Sequence, residues 1–169
     1  MADAAIVEIA EYHDDVLSSL KLFFSEKLRV LTADFRNRDA IANLLTLRPQ
    51  ETDQRSAFFI LASLEAAFRI DYERRCQKRM KDDVSRAFRA IYNSRKSRVS
   101  LDDDIFEAWR KNSTGSGPLI GELRAAFKFR HWLAHGRYWE PKLGRKYDFN
   151  SVYSLADAVL NAFPFQTFD

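Results

Sequence analysis

The sequence predicts an all-α protein, an up-and-down helical bundle, and three observations lead there. Apolar residues recur at three-and-four spacing over several long stretches. Those stretches are bounded by capping residues, glycine and proline. No segment sustains the alternation of a half-buried strand, and no internal repeat is visible. The 169 residues are read as one helical domain, 1–169, long enough to bury a core without a metal or disulfide staple.

The first helix is marked by Ile6, Ile9, Ala10, His13, Val16, Leu17, Leu20, Phe24, Leu28 and Leu31, with a break expected beyond Thr32. His13 lies on that apolar stripe and is read as a core or interface histidine. His13-Asp14-Asp15 lacks metal-site spacing, because neighbouring helical residues point in different directions. Leu44 to Pro49 reads as a short helical piece or loop ended by the proline. Thr52 or Asp53 then caps a second long helix with Phe58, Phe59, Leu61, Ala62, Leu64, Ala66 and Phe68 on its apolar face. Glu65 sits among these residues, either as a buried partner for an arginine or at the edge of the face. Asp82 or Asp83 caps a section carrying Val84, Ala87, Phe88 and Ile91, whose continuity with the preceding helix is open. Ser100 starts a short helix through Ile105, Phe106 and Trp109. Asp102, Asp103 and Asp104 read as helix-start charges, since no complementary histidine or carboxylate motif supports a metal. The Asn112 to Pro118 stretch is a loop before a helix; it lacks the lysine and residue order of a phosphate-binding loop. The next helix runs through Leu119, Ile120, Leu123, Ala126 and Phe127 to Gly136, burying Leu123, Phe127 and Ala134 on one arc. Asn150 or Ser151 caps the last helix, with Val152, Leu155, Ala156, Val159 and Leu160, and Pro164 ends it.

Apolar residues at 46% and charged residues at 30% describe an ordinary folded chain rather than a disordered one. The 14 phenylalanines point to aromatic-rich helix packing or an apolar interface. Cys76 is the only cysteine, which fits a reducing cytoplasm. Asp3 and Glu8 come early, no basic region precedes an apolar run, and no stretch reaches transmembrane length. Neither a signal peptide nor a membrane association is therefore expected. Net charge is only +3, but its distribution is uneven. Between Arg69 and Arg98 there are 11 Lys/Arg against 4 Asp/Glu, and between Arg124 and Lys146 there are 7 against 1. Either region can attract a polyanion, or form a solvated helix face.

The densest chemistry is Arg130-His131-Trp132-Leu133-Ala134-His135-Gly136-Arg137. Residues four apart on a helix share a face, so His131 and His135 stand together. Arg130 lies about 140 degrees from His135 around the axis, so its side chain must wrap to reach it. Gly136 can take a left-handed conformation and stop the helix directly after His135. Histidine is the side chain best suited to proton transfer near neutral pH, and arginine clamps phosphate. Together they suit RNA cleavage. The same cations can instead cap the helix and neutralise its negative end. Beyond the glycine, Tyr138 and Trp139 either stack on RNA bases, with Arg137 on the backbone, or pack the following loop.

Arg130-x4-His135 resembles the Arg-x(4 to 6)-His motif of the HEPN superfamily (higher eukaryotes and prokaryotes nucleotide-binding). His131 matches the polar position after the arginine, and Ala134-His135-Gly136 matches the motif's usual close. The motif's place on a late helix followed by one more is also similar. The resemblance implies a HEPN-type bundle and a metal-independent endoribonuclease of the toxin–antitoxin or phage-defence kind, requiring no cofactor. Arg130 would hold the scissile phosphate, His135 would be the principal acid/base, and His131 would orient RNA or assist proton transfer. It further implies a homodimer with two motif copies in one cleft, and control by an antitoxin, a nucleotidyltransferase-like protein or another regulatory protein. Some members are instead inactive nucleotide-, RNA- or protein-binding modules, which is the alternative implied here.

Overall fold

A computed structural model describes residues 2–30, 38–96, 98–137 and 139–166. Among these residues the chain is an all-α, up-and-down bundle of six α-helices with no sheet. They are α1 (Ala2–Val30), α2 (Arg38–Gln77), α3 (Asp83–Arg95), α4 (Glu107–Asn112), α5 (Gly117–Ala134) and α6 (Phe149–Ala162). A π-helical segment, Leu101–Phe106, leads directly into α4. The break expected beyond Thr32 falls outside the described residues. No helix among those described is long and apolar enough to cross a membrane.

The long helix α2 is the axis of the molecule, packing on α1, α3, α5 and α6. It corrects the expected stop at Pro49, for α2 runs unbroken through that residue. Proline deprives Leu45 of its helical donor, a local cost of about 3 kcal/mol in an isolated helix. Here the cost is offset by tertiary packing, because α1 lies along α2. His13 is 4% exposed, donates through Nε2 to Asp53 Oδ1 at 2.8 Å, and stacks on Phe149 with centroids 3.7 Å apart. The two expected caps therefore serve other ends. Asp53 holds His13, and the Thr52 hydroxyl donates to the Arg48 carbonyl at 3.0 Å inside the helix.

The remaining boundaries follow local chemistry. Asp82 caps α3, accepting from the Ser85 N–H at 3.0 Å, and separates it from α2 across Lys78 to Lys81. Ser100 caps the π segment by accepting from the Asp103 N–H at 3.1 Å, while its own N–H donates to Asp104 at 2.8 Å. Asp102 receives Arg124 from α5, which fastens the start of the π segment to α5. Pro118 occupies the first turn of α5, where its missing N–H costs nothing. At α6 the cap is Asp148, not Asn150 or Ser151. Its carboxylate accepts from the Ser151 N–H at 2.9 Å, and the Ser151 hydroxyl accepts from the Asp148 N–H at 3.0 Å. This reciprocal box, led by the Ser151 N–H, holds the Asp148 carboxyl below its usual range. Phe163 then leaves helical geometry just before Pro164.

Most of the phenylalanine content is explained by the core. Phe68 lies edge-on to Phe106, Phe163 and Phe165, with centroids 4.9, 5.3 and 4.8 Å away. Leu61, Leu64, Phe88, Trp109, Ile120, Leu123, Val152 and Val159 belong to the same continuous cluster, to which α1 adds Ile6. A smaller apolar set remains on the surface of α1 and α2, including Leu22, Phe23, Leu47 and Phe59.

Candidate active site

The last turns of α5 are set by which residues the bundle takes. Ile120, Leu123, Ala126 and Phe129 are buried at three-residue steps, and Leu133 continues the arc half-buried. Ala134, expected on the buried arc, is exposed, and Phe127 is only half-buried, because the buried arc passes through Phe129 instead. His131 and His135 consequently face solvent together. Their ring centroids are 4.1 Å apart, at an interplanar angle of 51°.

Gly136 ends the helix as the spacing anticipates. With φ at 79°, it lets its N–H reach the Leu133 carbonyl at 3.4 Å and the Arg137 N–H reach the Trp132 carbonyl at 3.2 Å. This paired closure is the Schellman arrangement, and it holds His135 at the C-cap. Nothing crowds the position a Cβ would take, so the backbone angle alone calls for glycine.

Arg130 points to α2. Its Nη2 lies 3.1 Å from Glu65 Oε2, and its guanidinium carbon stands 5.5 Å from the Phe58 ring centroid. The side chain is 31% exposed, and its Nε is buried with no hydrogen-bond partner among the described residues. Glu65 also accepts from Arg69 at 2.9 Å, so one carboxylate bridges two arginines. Of the two readings open for Glu65, the partner of an arginine is the one found; its side chain keeps 21% exposure. The pair holds the guanidinium end of the Arg130 side chain against α2 without consuming all five of its donors.

Arg137 also turns to α2, donating to Glu51 at 2.7 Å and to Gln54. That hydrogen bond holds the Glu51 carboxyl below its usual range, against the opposing effect of burial. Arg137 thus braces the motif's exit, with α5 running antiparallel to α2 from the Arg130–Glu65 pair to the Arg137–Glu51 pair. Tyr138 lies outside the described residues. Trp139 is half-buried; its carbonyl accepts from Trp132 Nε1 at 2.7 Å, and its ring centroid is 6.4 Å from that of His131.

Trp139 and His131 line a shallow cleft of about 380 Å³, together with Phe127, Lys128, Lys142 and the paired Arg124 and Asp102. Lys128 and Lys142 are additions to the residues expected from sequence. Lys128 was in principle legible, three residues before His131 on the same helical face. Lys142 was not, since only the course of the loop brings it in. The arrangement is an exposed imidazole pair at the end of α5, with His131 on the wall of a cleft that also holds cations and Trp139, and with the preceding Arg130 turned to α2. It offers proton transfer and anion binding on one surface. No group of three or more His, Cys, Asp or Glu side chains that could hold a metal occurs among the described residues. No protein-family model matches the chain, and neither does a curated protein or a solved structure.

Proposed function

We propose that the protein is a metal-independent endoribonuclease of HEPN type, working as a toxin or phage-defence effector. The observation that carries this reading is the exposed His131–His135 pair, 4.1 Å centroid to centroid, directly after an arginine that Glu65 holds against α2. In the proposed reaction His135 takes the proton of an RNA 2′-hydroxyl. The 2′-oxygen bonds to phosphorus, the bond from phosphorus to the 5′-oxygen breaks, and that oxygen is protonated with the help of His131. Arg130 binds the non-bridging oxygens and offsets the charge that grows on them. Glu65 is a positioning residue that acts through Arg130. The products are a 2′,3′-cyclic phosphate and a 5′-hydroxyl.

A homodimer that joins two copies of the α5 end in one cleft belongs to the same proposal, as does restraint by a separate antitoxin, nucleotidyltransferase-like or other regulatory protein. The surface-exposed apolar side chains on α1 and α2 support an interface. The cytoplasm is the proposed setting.

One observation favours a second reading, a catalytically silent HEPN-like module that binds RNA, a nucleotide or a protein. Glu65 neutralises part of the charge that Arg130 would bring to a phosphate. The two readings separate on purified protein incubated with total RNA in EDTA. Wild type is expected to cut RNA and leave DNA intact, and Arg130→Ala to cut about 10²- to 10³-fold more slowly. RNA binding without turnover, weakened by Arg130→Ala, would establish the silent module instead.

A further inference from the structure

We infer that the groove between the C-terminal half of α2 and α3 is a track for single-stranded RNA leading to the Arg130, His131 and His135 site, an inference that rests on the RNA-directed reading above. The groove encloses about 750 Å³ between Tyr72, Cys76, Arg79, Arg89, Tyr92 and Asn93, and a neighbouring space of about 510 Å³ extends it to Arg69 and Lys96.

Its chemistry matches a nucleic-acid strand on three counts. Arg69, Arg79, Arg89 and Lys96 line it against the single carboxylate of Glu73, so the groove carries a local positive excess. Tyr92 is 54% exposed on the wall of the groove, and a base can stack on its ring. Gln77 and Asn93 add amide groups that can both donate to and accept from base edges. An acidic peptide would use the cations but has no need of the ring between them.

Position supplies the link to the site. Arg69 lines the groove and also pairs with Glu65, the residue that holds Arg130. Cationic and aromatic groups therefore follow one another along α2 from the motif outward. From Arg69 to Gln77, where α2 ends, the helical rise covers about 12 Å, room for a few nucleotides. Of the 11 cations between Arg69 and Arg98, Arg69, Arg79, Arg89 and Lys96 meet in this groove.

Fluorescence polarisation of a labelled, 2′-O-methylated single strand of about 12 nucleotides reads this binding without cleavage, since the probe has no 2′-hydroxyl. Tyr92→Ala is expected to weaken binding about tenfold by removing the stacking face. Arg79→Glu and Lys96→Glu, both at exposed positions, should weaken it and lower the slope of log K against log salt by about 0.7 for each lost phosphate contact. Circular dichroism checks that the variants keep their helices. Unchanged affinity and salt slope in these variants would overturn the track, as would poly-glutamate displacing the probe or a duplex binding equally well. Such a result leaves the Arg130/His135 chemistry standing. A wild type that binds the probe through the groove yet never cuts RNA sinks the nuclease reading alone.

Discussion

His135→Ala is expected to slow RNA cleavage by about 10³-fold while leaving the thermal melt unchanged. The magnitude is that of losing a positioned proton-transfer group. The unchanged melt follows from place: His135 is exposed at the C-cap, and the closure around it uses backbone groups of Trp132, Leu133, Gly136 and Arg137 that alanine does not disturb. His131→Ala should be the milder change, because His131 assists and borders the Trp139 cleft rather than taking the first proton. Single-turnover rates on one RNA, alongside melting curves, measure both. Equal rates for wild type and His135→Ala would remove His135 from the chemistry.

Arg75→Ala should produce the largest loss of stability, about 3–5 kcal/mol in urea unfolding. Arg75 is buried, and its guanidinium is shared among partners from four parts of the chain. It donates to Asp71 at 2.7 Å, to Asp82 at 3.2 Å, to the Ser85 hydroxyl at 3.3 Å and to the Pro164 carbonyl at 2.6 Å, and it lies 5.0 Å from the Trp109 ring centroid. One side chain thus ties the end of α2 to the start of α3 and to the segment after α6. Removing it leaves Asp71 buried with only the Gln166 N–H, at 2.8 Å, on Oδ1 and nothing on Oδ2. Burial already pushes the Asp71 carboxyl up, against the Gln166 and Arg75 contacts that lower it. Without Arg75 it rises further, so the folded variant binds a proton more readily than the unfolded chain does. Its deficit relative to wild type should then be full at neutral pH and narrow as pH falls into the carboxylate range. A loss under 1 kcal/mol would show that Arg75 is not the tie described.

The comparison of sequence with structure turns on the range of each cause. The α5 face was legible because a four-residue spacing puts His131 over His135 whatever surrounds it, and Gly136 announces its own left-handed stop. Glu65 was legible in part, as a charge among apolar residues that wants a cation. Pro49 misled, since the local rule that proline ends a helix gives way where α1 packs alongside. The α6 cap was misplaced by two or three residues because Asp148, Asn150 and Ser151 all suit a helix start, and only the reciprocal hydrogen bonds distinguish them. The pairing of Arg137 with Glu51 spans 86 positions, and no local pattern encodes it. Lys142 reaches the cleft by the path of a loop, and Arg75 was one more cation in a basic run until the fold closed around it.

Cleavage of RNA through its own 2′-hydroxyl is the step proposed for the histidine pair and Arg130. The most direct test is to identify the ends left on RNA by wild-type protein in EDTA, with His135→Ala as the control. Wild type is expected to leave 5′-hydroxyl ends and 2′,3′-cyclic phosphates that are absent from the control. Ends bearing a 5′-phosphate, cleavage that stops when EDTA is added, or the same ends in equal yield from His135→Ala would contradict it.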